Sequence, residues 1–219
     1  MTADDVPTLD LPSAYSEMSE LRDNFTRFLL TYEAGMAEVE TKVRILQQEF
    51  THLYEYNPIE HISTRLKSVE SILDKAARKG VPATPESLRE HVTDVAGVRV
   101  VCSFISDVTR VQELLCSQGD ITVLRLRDYI AEPKANGYRS LHALVEVPVF
   151  LSQEVVRVPV EVQFRTSAMD FWASLEHKIY YKYDRAVPPE LLAGLSEAAE
   201  TAARLDADME RLHDQIRGR

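Results

Sequence analysis

The chain has 219 residues, 45% of them hydrophobic, so it is long enough to bury a sizeable core and favours one compact domain. Its net charge of −10 argues against a groove for DNA or RNA, because contacts with many phosphates require a basic surface. No apolar run approaches the ~18 residues that span a bilayer, and the N-terminus lacks the basic and apolar regions of a signal peptide, so we expect a cytoplasmic protein without a membrane segment.

The N-terminal part of the chain is predicted to be helical. Residues 1–12 contain two prolines and three aspartates and are expected to form a mobile tail. Over residues 13–55, apolar side chains recur at spacings of three and four, which is typical of amphipathic helix. Gly35 predicts a break between two helices in this segment. The acidic remainder is expected to be a solvated outer face without chemistry.

Two further helices are predicted before the first strand. A helix of about residues 60–79 is expected to end at Gly80, which is a common stop signal. Thr84 followed by Pro85 is typical of a cap and a first helical position. A short helix should therefore run from there to about His91.

A run of strands follows the short helix. The predicted strands lie at about residues 97–104, 121–128, 140–148 and 155–165. A helix at about 107–118 separates the first two, and this mixed order indicates an α+β domain with one sheet. The polar loop 131–137 has the composition of an active-site loop. Cys102 and Cys116 form no CxxC motif and are expected to be reduced thiols.

The clearest pattern in the chain is the run V-P-V-E-V-Q-F-R-T at residues 158–166. Its apolar residues alternate with Glu161, Gln163 and Arg165, as in a half-buried strand. The alternation places a carboxylate, an amide and a guanidinium in one row. A solvated sheet face would produce such a row, and so would the wall of a site for a charged ligand.

Two helices are predicted after this strand. The first has an apolar face that should cover the sheet, formed by Met169, Trp172, Leu175, Ile179 and Tyr183. The second begins near Pro189 and has the 4-3-4-3 spacing of a coiled-coil seam. Its seam residues are Leu191, Leu195, Ala198, Ala202, Leu205, Met209, Leu212 and Ile216. This seam would pack either on its own domain or on another subunit.

Nucleotide phosphates, if bound, must be held by side chains. Neither G-x-x-x-x-G-K-[ST] nor G-x-G-x-x-G occurs among the seven glycines. Cationic and hydroxyl side chains recur on the helix predicted at 60–79, in a middle part of the chain that is basic relative to its acidic flanks. They are Arg65, Lys67, Ser68 or Ser71, Lys75 and Arg78. A solvated basic face would give the same pattern.

Two carboxylates are candidate metal ligands. Asp94 lies shortly before the first predicted strand, where an Asp often caps a helix or a turn. Paired with Glu161, it would suit Mg²⁺, which prefers one or two carboxylates together with substrate phosphate oxygens. The six histidines lack ligand spacing, so structural zinc is not expected. His213 lies in the terminal helix without companion ligands and is interpreted as a surface residue.

Several motifs in the stretch of residues from about 55 to 185 resemble one known family. They are R-L-K-S-V-E-S-I-L, D-V-A-G-V-R-V-V-C-S-F, G-Y-R-S-L-H, E-V-Q-F-R-T and A-M-D-F-W-A-S-L-E-H-K-I-Y-Y-K-Y. In this order they resemble the synthetase domain of the RelA/SpoT family, and most closely its short members, the small alarmone synthetases. The resemblance implies a mixed sheet of about five strands flanked by helices, similar to nucleotidyltransferases of the polymerase β type. It places the synthetase domain at 56–185 and an oligomerisation helix at 186–219.

The resemblance also implies roles for individual residues. Those matching the family's ATP-binding positions are Arg65, Lys67, Ser71, Lys75, Arg78 and Arg99, with Arg65 and Arg99 flanking the adenine. Asp94 and Glu161 match the catalytic and Mg²⁺-binding positions, and Glu161 would bind metal, activate the attacking hydroxyl, or both. Tyr138 matches the residue that stacks on guanine. The remaining matches in the GDP or GTP pocket are Arg127, Lys134, Arg139, His142, Gln163 and Asp170.

The implied activity is a Mg²⁺-dependent transfer of pyrophosphate from ATP to the 3′-hydroxyl of GDP or GTP, releasing AMP. The chain length leaves no room for the family's hydrolase domain, so we expect synthesis without degradation. The small family members are commonly homotetramers, which predicts a homotetramer here and allows a nucleotide effector between subunits. Two alternatives remain: an enzyme that transfers a nucleotide and releases pyrophosphate, and a nucleotide sensor or helical interaction protein without turnover.

Overall fold

A mixed sheet of five strands organises the protein, which the computed structural model describes for residues 11–183 and 187–217. The strands are β1 (Ile59–Leu66), β2 (Ala96–Cys102), β3 (Thr122–Asp128), β4 (Leu141–Phe150) and β5 (Val155–Thr166). The helices are α1 (Leu11–Leu53), α2 (Val69–Lys79), α3 (Pro85–His91), α4 (Ile105–Cys116), α5 (Ser167–Lys182) and α6 (Pro189–Arg217). The predicted α+β class with about five strands is confirmed.

The central strand of the sheet is β5. The strand order is β1-β2-β5-β4-β3, with β2 and β5 parallel and all other neighbours antiparallel. In this register Gln163 lies between Arg99 on β2 and His142 on β4, and Glu161 lies beside Gly97. Residues opposite each other on neighbouring strands share one face of the sheet. The polar row of β5 therefore continues across three strands.

The opposite face of the sheet is covered by α1, which is one uninterrupted helix. Its buried residues Phe28, Tyr32 and Val43 belong to the main hydrophobic core. The predicted break at Gly35 is wrong: a Cβ atom there would lie 2.6 Å from Cγ1 of Val158 on β5. Gly35 permits a close approach of helix and sheet instead of ending the helix. The tail predicted at 1–12 falls almost entirely outside the described residues.

The prediction of a helix over 60–79 is wrong in its first half. The chain forms the edge strand β1 there, and α2 begins only after Ser68, whose side chain accepts a hydrogen bond from the Ser71 amide. A polar edge strand with few buried positions lacks clear alternation, which explains the error. Gly80 ends α2 in the left-handed conformation with φ 65°, as predicted.

The other predicted elements are confirmed to within about two residues at each end, including the short helix capped by Thr84. Both cysteines are free thiols, Cys102 buried and Cys116 partly buried. Within the described residues, no helix combines the length and the apolarity that crossing a bilayer requires.

The two C-terminal helices pack on each other as well as on the sheet. α5 contacts β2 and β5, but Trp172 faces α6, where its Nε1 donates a hydrogen bond to the Leu195 carbonyl at 2.8 Å. Ala173 and Ala199 complete this small cluster. The prediction that α5 covers the sheet is therefore only partly correct.

The face of α6 that packs on its own domain overlaps the predicted seam only at Leu195 and Ala202. Leu195, Ala199, Asp206 and His213 are buried. The later seam residues remain largely exposed in the single chain: Leu205 54%, Met209 41%, Leu212 45% and Ile216 74%. The interpretation of His213 as a surface residue is wrong, because its ring stacks on Phe104 at 4.0 Å between centroids.

Candidate active site

A cleft of about 490 Å³ opens on the polar face of the sheet. Side chains of β1, β2 and β5 and of the segments that follow β1 and precede β2 line it. The parallel pairing of β2 and β5 brings their polar rows together there. The lining includes six of the predicted site residues, namely Arg65, Lys67, Asp94, Arg99, Glu161 and Gln163.

Asp94 is the centre of a cationic cluster in this cleft. Its Oδ2 lies 2.6 Å from Nζ of both Lys67 and Lys75. Its Oδ1 is buried and has no hydrogen-bond partner within residues 11–183 and 187–217. Burial would raise the pKa of Asp94, but the two lysines outweigh this effect and hold the pKa below its ordinary value. Asp94 is therefore an ionised carboxylate, and its buried Oδ1 lacks a hydrogen-bond partner among the described residues.

Glu161 is the second carboxylate of the cleft. Its Oε2 accepts a hydrogen bond from Gln163 Nε2 at 2.9 Å, and its Oε1 lies 3.5 Å from His142 Nδ1. Burial would raise the pKa of Glu161, and the charge on Asp94 adds to this. The contacts with His142 and Gln163 outweigh both effects and hold the pKa below its ordinary value. Glu161 is thus ionised at neutral pH.

An aromatic group lies at the β4 side of the cleft. The hydroxyl of Tyr138 lies 2.7 Å from His142 Nε2 and accepts a hydrogen bond from Arg165 Nη2 at 2.7 Å. Lys134 Nζ lies 4.6 Å from the Tyr138 ring centroid and 4.7 Å from that of Tyr129. These contacts fix the orientation of the Tyr138 ring, which is partly exposed.

Asp170 connects the two sides of the cleft. Its Oδ1 lies 3.1 Å from Nη1 of Arg99 and 3.1 Å from Nη1 of Arg165. The family resemblance places this carboxylate in the acceptor pocket. In the structure it neutralises two guanidinium groups.

Four predicted site residues lie away from the cleft. Ser71 takes part in the cap of α2, and the exposed Arg78 bonds to the Asp74 carbonyl. Arg127 is exposed and donates to the Tyr129 hydroxyl at 3.3 Å. Arg139 donates to the Ile130 carbonyl and lines a small hollow against α6. A bound nucleotide would have to extend beyond the cleft to reach them.

The sequence analysis assigns no role to two residues of the site, Arg165 and Tyr129. The one signal for Arg165 is its place in the polar row of β5 with Glu161 and Gln163. Its low exposure, only 4%, could not be inferred from an alternation that places it on a polar face.

Comparisons with known proteins identify the family. The model of a region found in RelA / SpoT proteins matches residues 64–186. GTP pyrophosphokinase YwaC of Bacillus subtilis is 46% identical over 88% of this chain and 92% of its own, and GTP pyrophosphokinase YjbM of the same organism is 38% identical over 87% and 89%. Among solved structures, small alarmone synthetase 1 from B. subtilis superposes with a TM-score of 0.83 at 36% identity, covering 90% of this chain and 100% of that one.

The family match and these relatives define a transferase of the alarmone synthetase class. The chain belongs to the RelA/SpoT family, as the sequence motifs predicted. Further structures of small alarmone synthetase 1 contain its product pppGpp or the ATP analogue AMPCPP.

Proposed function

We propose that the protein is a Mg²⁺-dependent, monofunctional (p)ppGpp synthetase that transfers the β,γ-diphosphate of ATP to the 3′-hydroxyl of GDP or GTP. The observation that carries the proposal is the pair of ionised carboxylates, Asp94 and Glu161, beside cationic side chains in one cleft. The names of the relatives, GTP pyrophosphokinases, support the same activity.

The reaction makes and breaks one bond to the β-phosphorus of ATP. The 3′-oxygen of the acceptor bonds to this phosphorus, and the bond to the oxygen that bridges to the α-phosphate breaks. AMP leaves with that oxygen, and the 3′-hydroxyl proton passes to a base or to solvent. Positioning and charge neutralisation provide most of the catalysis in such transfers.

Asp94 and Glu161 fit a magnesium site. Asp94 offers Oδ1, which has no hydrogen-bond partner in the described part of the chain, and both carboxylates are ionised. Two carboxylates completed by phosphate oxygens and water are the ligands that Mg²⁺ prefers. The ion would neutralise charge that develops on the transferred group. The low pKa of Glu161 makes it a weak general base, which favours a role in holding the metal or orienting the 3′-hydroxyl.

Lys67 and Lys75 are the cations nearest to Asp94 and are proposed to bind the ATP phosphates. Lys67 lines the cleft and Lys75 contacts the same oxygen of Asp94, so each can move its ammonium group from Asp94 to a phosphate oxygen over a short distance. Arg65 and Arg99, on neighbouring strands, are proposed to flank the adenine. Guanidinium planes suit this position because they stack on aromatic rings.

Tyr138 is proposed to stack on the guanine of the acceptor. Its ring is held by Arg165, His142 and Lys134. Stacking of a base on an aromatic side chain contributes about 1–3 kcal/mol. The β4 side of the cleft is therefore the proposed acceptor subsite.

The proposed assembly is a homotetramer in the cytoplasm. Leu205, Met209, Leu212 and Ile216 form an exposed apolar stripe on α6, which is typical of a surface that another subunit covers. The two free thiols suit a reducing compartment. A nucleotide effector between subunits would appear as a change in rate when (p)ppGpp is added to the assay.

One assay tests the function directly. Purified protein is incubated with ATP, GDP and Mg²⁺, and the nucleotides are separated by anion-exchange chromatography. We expect ppGpp and AMP in equal amounts. Pyrophosphate release would instead indicate a nucleotidyltransferase, and no turnover would indicate a nucleotide sensor.

Asp94→Asn and Glu161→Gln are the matched variants for this assay. Each keeps the size of the side chain but removes the charge, so we expect normal folding and a loss of more than ten-fold in turnover, because each 1.4 kcal/mol of transition-state stabilisation is about ten-fold in rate. A variant that keeps more than about a tenth of wild-type turnover would remove its residue from the catalytic assignment.

A further inference from the structure

One oxygen atom of Asp170 lies between two guanidinium groups from different strands. Arg99 comes from β2 and Arg165 from the end of β5, and each places Nη1 3.1 Å from Oδ1 of Asp170. Asp170 itself belongs to the first turn of α5. No loop separates β5 from α5, so the backbone itself fixes the position of Asp170 relative to Arg165.

The two arginines are close enough to affect each other. Burial lowers the pKa of Arg99, the charge of Arg165 lowers it further, and Asp170 opposes both. Arg165 is almost completely buried, so solvent screens its charge poorly. Without the carboxylate, the two cations would repel each other and at least one would move.

Each arginine belongs to a different side of the cleft. Arg99 lines the cleft with Arg65 and Asp94, where ATP is proposed to bind. Arg165 holds Tyr138 through its hydroxyl and Gln163 through its amide oxygen, both at 2.7 Å, where the acceptor is proposed to bind. Asp170 is thus the shared partner of both subsites.

We propose that Asp170 is a positioning residue that couples the two nucleotide subsites. It holds Arg99 and Arg165, and through Arg165 the Tyr138 ring, in one arrangement. A nucleotide that takes Arg99 as its partner leaves the Asp170 carboxylate to Arg165, which then holds the Tyr138 ring more firmly, so the second nucleotide binds more tightly. The inference rests on the proposed function, because it uses the allocation of ATP to Arg99 and of the acceptor to Tyr138.

The test is the change in GDP affinity that an ATP analogue produces. Isothermal titration calorimetry of the full chain with Mg²⁺ gives the Kd of GDP alone and in the presence of saturating AMPCPP. For wild type we expect AMPCPP to lower the Kd of GDP about five-fold or more, which is within the usual range of coupling between sites. Reciprocity requires GDP to change the Kd of AMPCPP by the same factor.

Asp170→Ala should bring this factor close to one, and because it loosens Arg165 and the Tyr138 ring it should also raise the Kd of GDP alone. Asp170→Asn keeps an acceptor oxygen but not the charge, so we expect it to restore part of the coupling. Asp208→Ala is the control, because this exposed carboxylate pairs with Arg211 of the same helix and should leave the factor unchanged.

Three results would overturn the inference: a wild-type factor of one, an Asp170→Ala factor equal to that of wild type, or equal losses of coupling in Asp170→Ala and Asp208→Ala. Circular dichroism shows whether each variant is folded, and if Asp170→Ala is not, the comparison of wild type with Asp170→Asn decides. A failure of the proposed function has a different signature, since wild type would then bind neither nucleotide or form no ppGpp.

Discussion

At the scale of single residues, the charges of the cleft are set before any nucleotide enters. Lys67 and Lys75 neutralise one oxygen of Asp94 and leave the other without a partner among the described residues. We expect incoming phosphates to recruit the two ammonium groups, which would release Asp94 for a metal ion. The lysines therefore reduce the cost of burying the carboxylate in the free protein.

Tyr138→Ala should raise the KM for GDP or GTP and change the KM for ATP much less. Loss of about 1–3 kcal/mol of stacking corresponds to about five-fold to 150-fold in KM. Steady-state rates measured while each nucleotide is varied in turn check this expectation.

Tyr138→Phe is the matched control for that change. It keeps the ring and removes only the hydroxyl that contacts His142 and Arg165, so the rise in KM should be smaller. If Tyr138→Ala raised the KM for ATP and left that for GDP or GTP unchanged, the allocation of the two subsites would be reversed.

The sequence showed which residues carry charge but not which of them pair. Glu161, Gln163 and Arg165 were found in one row because alternation along a buried strand is unmistakable. The roles of Arg165 and Asp170 depend on contacts with β2 and with Tyr138, which no local pattern contains. Asp94, Glu161 and Tyr138 were predicted from family motifs, because such motifs reflect the tertiary contacts of the whole family and a local pattern does not.

At the scale of elements, the two errors of prediction share one cause, which is that tertiary contacts, and not the local pattern, determine the structure of the segment. The edge strand β1 resembles a helix in sequence because its exposed side lacks an alternating apolar pattern. Gly35 predicts a helix break because glycine is a weak helix former, whereas the structure uses this glycine for close contact with Val158. Central strands and capped helices were predicted correctly, since local chemistry determines them.

Gly35→Ala is expected to destabilise the protein by about 1–3 kcal/mol, despite the better helix propensity of alanine. The added methyl group would overlap Val158, 2.6 Å away, and force α1 away from the sheet. Urea unfolding followed by circular dichroism measures the loss.

Two further variants make this prediction specific. Gly194→Ala, also within a helix, should be neutral or stabilising, because among the described residues nothing beyond the adjacent helix backbone lies within 4 Å of the new Cβ. Val158→Ala combined with Gly35→Ala should cost less than the sum of the single changes, because the smaller side chain accommodates the methyl group. Strict additivity would contradict the packing explanation.

At the scale of the whole molecule, α6 contacts the rest of the domain at several separate positions. Asp206 accepts a hydrogen bond from the Thr166 hydroxyl at 2.8 Å, and Glu210 accepts one from the Ser106 amide at 3.1 Å. His213 stacks on Phe104. The terminal helix is therefore part of the folded domain, and its exposed stripe is held in a fixed orientation.

Asp206→Asn should be at least as stable as wild type at neutral pH. Burial raises the pKa of Asp206 above 3.8, although Thr166 and Arg139 oppose this. The folded state then binds the proton more tightly than the unfolded state, so wild-type stability falls as pH rises from 3.8 through the raised pKa. An asparagine side chain can still accept the hydrogen bond from the Thr166 hydroxyl, but it does not ionise, so the stability of the variant does not fall in this way.

The unfolding free energies of wild type and Asp206→Asn are measured from pH 3 upward. Their difference cancels the contributions of the other carboxylates, and this difference should grow with pH and then become constant. Asp206→Ala is the contrasting change, since it leaves the buried Thr166 hydroxyl without its acceptor and should destabilise by about 1–3 kcal/mol. A difference independent of pH would refute the explanation.

The combined change of Leu205, Met209 and Leu212 to Glu should break the proposed tetramer. These side chains are exposed in the single chain, so charges there disturb little within it, but would be buried unpaired between subunits. Light scattering should give a tetramer for wild type and a smaller species for the variant. A stable wild-type monomer of about 25 kDa would exclude the assembly.

Trp172 of α5 is the single tryptophan of the chain, and its buried indole donates a hydrogen bond to the Leu195 carbonyl of α6. Any separation of α6 from α5 exposes this indole to water and breaks its one hydrogen bond to the main chain. The fluorescence emission of the unlabelled protein should shift to longer wavelength in that event. The protein thus contains a built-in optical probe for the docking of its terminal helix.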